Sequence, residues 1–332
     1  MKIIIDSGIP FVKGVFEPYA EVIYAKGEAI SPDMVADADA LVVRTRTRCN
    51  AALLEGSSIR LVVTATIGTD HIDLEYCQSK NIVVRNAAGC NARGVLQWVA
   101  AALVQLLAEH KASPSELTLG IVGVGNVGSL VWQYAQAWGF RTICCDPPRE
   151  EREHLGFSSI EEVFTKSDIV TLHTPLAPDT THLVDETLLT PWHGSNKVLI
   201  NASRGEVVET AALLRSGVQC AIDVWEWEPE IDKELLAKAF ISTPHIAGYS
   251  LQGKANATAM AVAAVAQHFS LPLEGWYPAE VTPTSAQPIS WEELCRIMPT
   301  HYDILAESTT LKSNREKFES LRNNYNFREE IF

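Results

Sequence analysis

The stretch Gly120–Gly128, GIVGVGNVG, constrains the fold more than any other part of this sequence. Leu117–Val122 is a short apolar run of strand type, and Val127–Trp138 (VGSLVWQYAQAW) carries a helical pattern. Between them Gly123, Gly125 and Gly128 make a G-x-G-x-x-G turn. In such a turn the first glycine permits the tight bend, the second lets backbone approach a pyrophosphate, and the third lets helix and strand pack closely. The helix N-terminus then points unpaired N–H groups at the phosphates. A glycine turn alone is a weak signal. Here a second strand follows, Arg141–Cys145, and it ends in Asp146, 18 positions past Gly128. A dinucleotide fold keeps there the carboxylate that bonds the adenosine ribose hydroxyls. The stretch predicts a Rossmann unit.

Around it the chain alternates. Strand-type runs occur at Lys2–Asp6, Glu21–Tyr24, Ala40–Val43, Leu61–Thr64 and Ile82–Arg85, with helices opening at Ser31-Pro32 and Asn50. After the glycine motif come Ile169–Leu172, Val198–Asn201, Cys220–Val224 and Phe240–Ser242. This pattern predicts an α/β chain with two doubly wound parallel-sheet domains, a split flavodoxin-like substrate domain and a Rossmann domain, plus a C-terminal segment. Two long helices, Asn91–His110 and Gly253–Phe269, bracket the dinucleotide unit. They assign residues 1–92 and 255–275 to the substrate domain and 93–254 to the dinucleotide-binding domain. Past Leu271 a proline-rich connector leads to helical stretches at Ser290–Met298 and Asn314–Tyr325, within a segment 276–332.

Net charge narrows the partners. At −14 the chain is a poor match for nucleic acid or an anionic membrane. No apolar run reaches membrane length, and MKIIIDSG enters a strand without a signal-peptide core. The seven cysteines contain no C-x-x-C pair and sit mostly in apolar runs, which suits reduced thiols in the cytoplasm and no metal site.

Ligands of such sheets bind beyond the carboxyl ends of the strands. Three successive strand ends carry Asn201-Ala202-Ser203-Arg204-Gly205, Trp225-Glu226-Trp227-Glu228-Pro229 and Thr243-Pro244-His245-Ile246-Ala247-Gly248-Tyr249. Oxidation of an alcohol needs a base for the hydroxyl proton, a cation for developing negative charge, and a hydride acceptor. His245 can be the base, its reference pKa of about 6.5 lying near working pH. Glu228 can bond the other ring nitrogen and fix its tautomer, as carboxylates do in hydrolytic triads. Arg204 offers a planar fork that fits a carboxylate.

Together with His173-Thr174-Pro175-Leu176 and Asp223-Val224-Trp225, these motifs resemble the D-isomer-specific 2-hydroxyacid dehydrogenases across essentially the whole chain. Val43-Arg44-Thr45-Arg46-Thr47, Thr64–His71, Gly89-Cys90-Asn91-Ala92, Cys145–Arg149, His245–Ser250 and Leu321–Tyr325 narrow the likeness to the branch acting on 4-phospho-D-erythronate. The resemblance implies NAD as cofactor, oxidation at C2, and a place in pyridoxal 5′-phosphate synthesis. It implies Arg204, Glu228 and His245 as catalytic residues, and Asp146, Thr174, Asp223 and Gly248 as cofactor contacts beside the glycine-motif residues Gly123, Gly125, Asn126, Val127 and Gly128. Thr45, Thr66 and Tyr249 become substrate contacts, Thr45 standing where serine is expected. It also makes 276–332 a segment of dimerisation type, shortened because the chain stops at Phe332.

The substrate has two anionic ends. If Arg204 holds the carboxylate, the phosphate needs another cation. Arg44, Arg46 and Arg48 follow a strand at alternating positions, and in extended backbone alternate residues share a face. Arg44 and Arg46 are therefore the phosphate candidates. The partners expected are thus a phosphorylated hydroxyacid and a second copy of the chain, with an apolar stripe of Trp98, Val99 and Leu103 on the Asn91–His110 helix available for a homodimer. Two alternatives stay open: another D-2-hydroxyacid dehydrogenase, of hydroxypyruvate reductase or phosphoglycerate dehydrogenase type, and a non-enzymatic NAD-sensing binding protein.

Overall fold

The computed structural model describes residues 1–194 and 196–332. The chain divides into two compact units, Met1–Asn91 with Ser250–Pro283 and Ala92–Tyr249 with Thr284–Phe332.

The first unit is built on five parallel strands among the described residues: β1 (Lys2–Asp6), β2 (Glu21–Ala25), β3 (Ala40–Val43), β4 (Leu61–Thr64) and β5 (Val83–Asn86). They lie in the order β2-β1-β3-β4-β5, the flavodoxin arrangement, so the winding reverses between β1 and β3. Register runs Ile3 to Ala40 and Leu41 to Val62. Every residue of β3 and β4 is buried, as strands covered on both faces must be. The Leu251–Phe269 helix supplies Ala261, Val262 and Val265 to the core against Ile3, Ile5, Val42 and Val63. Ser250 caps that helix, its Oγ accepting the Gly253 N–H at 3.0 Å.

In the second unit six parallel strands among the described residues run in the order β11-β10-β9-β8-β6-β7. They are β6 (Thr118–Val122), β7 (Arg141–Cys145), β8 (Ile169–Leu172), β9 (Val198–Asn201), β10 (Gln219–Ile222) and β11 (Ile241–Ser242). Since all are parallel, their carboxyl ends share one edge, and the winding reverses between β6 and β8. The Ala92–His110 helix is sheathed by this unit. Trp98, Val99 and Leu103 are fully buried in it, so the stripe expected to meet a second copy is core instead. The helix is apolar nearly all round, and one apolar stripe could not be told from another.

Residues 284–332 do not stand apart. Phe332 is 1% exposed and packs on Tyr134 and Trp138 of the Asn126–Trp138 helix, ring centroids 5.4 and 6.2 Å apart. Gln97 donates to the Glu329 carbonyl at 3.0 Å and accepts from the Ile331 N–H at 3.1 Å. The Ile304–Ser313 helix packs on β11, with Ser308 Oγ accepting the Ser242 N–H at 3.0 Å. The structure therefore draws its boundaries after Asn91, Tyr249 and Pro283, where the sequence reading drew them after residues 92, 254 and 275 and set 276–332 apart.

Candidate active site

The glycine turn after β6 is shaped by contact. Gly123 has φ +85°, and a Cβ there would meet the His173 backbone at 2.7 Å, so the loops after β6 and β8 touch where the winding reverses. A Cβ on Gly128 would fall 1.9 Å from the Gly123 carbonyl oxygen. At Gly125 a Cβ would meet nothing within 4 Å, which leaves the backbone there open to a ligand. Asn126, Val127 and Gly128 form the first turn of the Asn126–Trp138 helix, where N–H groups have no helix carbonyl behind them.

Asp146 ties this turn to the end of β7. Its Oδ2 accepts the Val124 N–H at 2.7 Å, and its Oδ1 accepts the Arg149 N–H at 2.9 Å. Arg149 folds back on the loop: Nη1 donates to the Val124 carbonyl at 2.8 Å and to Ser129 Oγ at 2.9 Å, and Nε donates to Glu153 at 2.9 Å. After β8, the Oγ1 of Thr174 is buried with no hydrogen-bond partner among the described residues. Buried hydroxyls are nearly always bonded, so this one is shaped for a ligand. The neighbouring His173 is pushed down to about 3 by burial, with Nε2 3.0 Å from Thr171 Oγ1. The cradle fits a dinucleotide.

The loops after β9, β10 and β11 are locked to one another. Asn201 holds the first, its side chain accepting the Ser203 N–H at 3.0 Å and donating to the Arg204 carbonyl at 2.9 Å. A Cβ on Gly205 would lie 2.0 Å from the Trp225 carbonyl carbon, so this loop rests on the next. Arg204 itself is half-buried; among the described residues its guanidinium makes one hydrogen bond, to the Ser203 carbonyl at 2.8 Å.

Asp223 organises the third loop. It is 1% exposed, and its carboxylate accepts from Thr243 Oγ1 (2.6 Å), the Ile246 N–H (2.8 Å) and the Ala247 N–H (2.9 Å). Burial raises its pKa, against the pull of His245 and these donors. Thr243 is in turn bonded by Trp98 Nε1 at 3.0 Å, which links the buried helix to the loop. His245 takes a left-handed backbone, φ +58°, with its N–H on the Asp223 carbonyl at 2.8 Å. That twist brings Nδ1 to 2.8 Å from Glu228 Oε2, while Glu228 Oε1 accepts the Trp225 N–H at 2.9 Å. Burial alone would raise the Glu228 pKa; His245, the Trp225 N–H and Arg322 together bring it below the ordinary carboxylate value. An ionised carboxylate only accepts, so Nδ1 carries the proton and Nε2 is left as a base.

Two arginines from the chain's last stretch complete this region, and reasoning from the sequence gave neither a role. Arg322 Nη1 lies 3.6 Å from Glu228 Oε2, and its Nε donates to Tyr249 Oη at 3.3 Å. Arg328 is buried and donates to the carbonyls of Ile246 (2.9 Å), Gly94 (2.8 Å) and Ala247, which clamps the 246–249 loop, Gly248 included, to the start of the Ala92–His110 helix. The Tyr249 ring meets Tyr325 and Phe327 edge-on, both at 6.2 Å. The only hint was the family-like run Leu321–Tyr325.

In the first unit Arg44 leaves the end of β3 beside the end of β1, at the reversal point. Its Nε donates to Asp6 Oδ2 at 3.1 Å; Asp6 is 1% exposed and the Arg44 side chain 39%. Thr45 and Arg46 are exposed. The alternation argued for Arg44, Arg46 and Arg48 does not hold, because the strand ends at Val43 and the chain turns, with the Thr47 N–H on the Arg44 carbonyl. Thr47 is buried and bonds the Gly27 carbonyl at 2.9 Å, which drives that turn. Thr66, after β4, lies 2.6 Å from Thr64 Oγ1, which in turn is 3.1 Å from His71 Nε2. No group of three or more His, Cys, Asp or Glu among the described residues is placed to hold a metal, and none of their helices is long and apolar enough to cross a membrane.

Comparison with known proteins identifies the family. Residues 94–247 match the family model for the D-isomer specific 2-hydroxyacid dehydrogenase, NAD binding domain. A protein of Bacteroides thetaiotaomicron named erythronate-4-phosphate dehydrogenase is 45% identical, over 99% of this chain and 97% of its own. One of the same name from Yersinia enterocolitica is 37% identical over 99% and 93%. Among solved structures, the TT0316 protein from Thermus thermophilus superposes with a TM-score of 0.66 at 26% identity, over 84% of this chain and 99% of that one. The NAD+-bound 3-phosphoglycerate dehydrogenase of Entamoeba histolytica shares the fold, with a TM-score of 0.67 at 24% identity over 85% and 99%. The fold is that of an NAD-dependent dehydrogenase. The chain belongs to the D-isomer-specific 2-hydroxyacid dehydrogenase family and, within it, to the erythronate-4-phosphate dehydrogenases.

Proposed function

We propose that this chain oxidises 4-phospho-D-erythronate at C2, giving 3-hydroxy-2-oxo-4-phosphooxybutanoate, in the synthesis of pyridoxal 5′-phosphate. The likeness to erythronate-4-phosphate dehydrogenases over nearly the full length carries this reading. Bound NAD supplies the hydride acceptor. The N–H groups of Asn126, Val127 and Gly128 take its pyrophosphate, with Gly123 and Gly125 giving the backbone its approach. Asp146 accepts the ribose hydroxyls, and Thr174, Asp223 and Gly248 line the rest of the cofactor's path.

His245 Nε2 takes the proton of the C2 hydroxyl. Glu228, ionised and bonded to Nδ1, holds the ring in the tautomer that leaves Nε2 basic and then stabilises the imidazolium. Arg204 binds the substrate carboxylate and steadies negative charge growing on the C2 oxygen. Thr45, Thr66 and Tyr249 contact the substrate, and Arg44 and Arg46 take its phosphate. The phosphate shares Arg44 with Asp6, a buried acid that keeps the guanidinium in place. We further infer a homodimer in the cytoplasm; seven free thiols suit that compartment, and dimer contacts must come from residues other than Trp98, Val99 and Leu103. Light scattering at micromolar concentration tests the dimer.

The deciding experiment compares NAD-dependent oxidation of 4-phosphoerythronate, erythronate, glycerate and 3-phosphoglycerate. A clear preference in kcat/KM for 4-phosphoerythronate is expected. Equal turnover of erythronate and its phosphate would remove the phosphate assignment, and no turnover of any hydroxyacid despite tight NAD binding would make the chain a sensor.

A further inference from the structure

The Glu228–His245 pair is not closed by its own loops. On Glu228, Oε1 is bonded by the Trp225 N–H and Oε2 by His245 Nδ1, and Arg322 Nη1 stands 3.6 Å from that same Oε2. The other arm of the guanidinium, Nε, donates to Tyr249 Oη at 3.3 Å. A single planar side chain thus bridges the carboxylate that orients the base and a tyrosine four positions beyond the base. The bland explanation is that Arg322 pins the C-terminal stretch to the sheet. That stretch has other anchors: Phe318 is 2% exposed, Leu321 packs on the same core cluster, and Arg328, Gln97 and Phe332 fasten the residues beyond. Docking does not require a guanidinium at 322.

We propose that Arg322 is a positioning residue for the reaction: its guanidinium holds the Glu228 carboxylate against His245 and fixes Tyr249 beside it. The proposal rests on His245 acting as the base. A carboxylate with one hydrogen bond to a ring and one to backbone can still swing about its last side-chain bond. A cation on its outer oxygen opposes that swing, and Lys could not replace it fully, because an ammonium is a point donor whereas the guanidinium spans two partners along separate arms.

The test uses the full-length enzyme with R322Q and R322K, measuring kcat and KM, melting temperature, and the His245 imidazole NMR resonances without substrate. R322Q should lose about tenfold in kcat with a smaller change in KM, and its His245 resonances should shift or broaden as the ring loosens. R322K should lose about threefold in kcat, since charge is retained and the bridge is not. A folded R322Q with wild-type kcat and unchanged His245 resonances overturns the proposal, whatever its melting temperature. If R322Q does not fold, R322K decides, and wild-type kcat in that variant overturns it equally. Failure of the functional reading looks different: wild type itself would oxidise no hydroxyacid, while the His245 resonances would still compare Arg322 with its replacement.

Discussion

Two sheet edges in this molecule solve the same geometric problem with different degrees of commitment. In the second unit the loops that carry the candidate site are held by buried or half-buried groups: Asp146 on the glycine turn, Asn201 on the arginine loop, Asp223 on the histidine loop, Glu228 on the ring itself. In the first unit the ends of β1 and β3 meet through the ion pair of Arg44 with Asp6, which also accepts the Gly8 N–H, while Thr45 and Arg46 stand exposed. Proton and hydride transfer tolerate little displacement, so groups that do chemistry are best pre-positioned. Recognition of a phosphate is more forgiving, since a charged side chain can reach for a diffuse, roughly dianionic surface. The difference teaches where rigidity is spent.

The contrast can be broken or sharpened by experiment. The largest effect belongs to the rigid edge. His245→Ala should lower kcat by roughly 10²–10⁴-fold and leave NAD affinity nearly unchanged, because the base matters chiefly in the transition state. Near wild-type turnover would end the assignment of the base. At the looser edge, Arg44→Ala should raise KM for 4-phosphoerythronate by about 10- to 100-fold, the loss of a charge-assisted contact of roughly 1.5–3 kcal/mol. For unphosphorylated erythronate KM should hardly move; an equal rise for both would show Arg44 serving the fold through Asp6.

A third expectation concerns acid. In the native protein His173 is pushed down to about 3, while the unfolded imidazole titrates near its ordinary 6.5. Below that ordinary value the unfolded chain takes up a proton that the native ring refuses. Stability must therefore fall as pH drops from about 6.5 towards 3, by up to about 1.4 kcal/mol per pH unit. Glu228, held below its ordinary value, adds to the loss in the carboxylate range as its proton is forced on. Chemical denaturation at stepped pH checks this, and His173→Asn should flatten the slope; an unchanged slope would place the proton uptake elsewhere. The smallest effect is on cofactor choice. Asp146→Ser should narrow the preference for NAD over NADP by about tenfold, since the carboxylate repels a 2′-phosphate. Arg149, occupied with the Val124 carbonyl, Ser129 and Glu153, does little to soften that preference before the change.

How far the sequence could be read follows from the kind of signal each region offers. Parallel strands announce themselves as short, mostly apolar runs between turns, and β1, β3, β4, β7, β8 and β9 end where that pattern ends. The glycine motif was legible because each glycine meets a distinct steric demand. The Ile304–Ser313 helix was not read, because it buries little beyond Ile304, Ser308 and Leu311 and shows no broad apolar stripe. The arginine row failed at Thr47, a polar residue that turns the chain by bonding a carbonyl from another loop. No local pattern could announce such a contact. Arg322 and Arg328 were invisible as site residues for the same reason: their partners lie in loops remote in sequence.

That remoteness has a consequence for how activity arises during synthesis. The sheet edge bearing Asp223, Glu228 and His245 is translated before the stretch whose arginines seat it. A nascent chain therefore holds the Glu228–His245 pair while Arg322 and Arg328 are still to come. The Rossmann sheet can be built in order of translation, but the histidine loop waits for its clamp. The seating of the 246–249 loop should therefore follow the folding of residues 318–332 onto it.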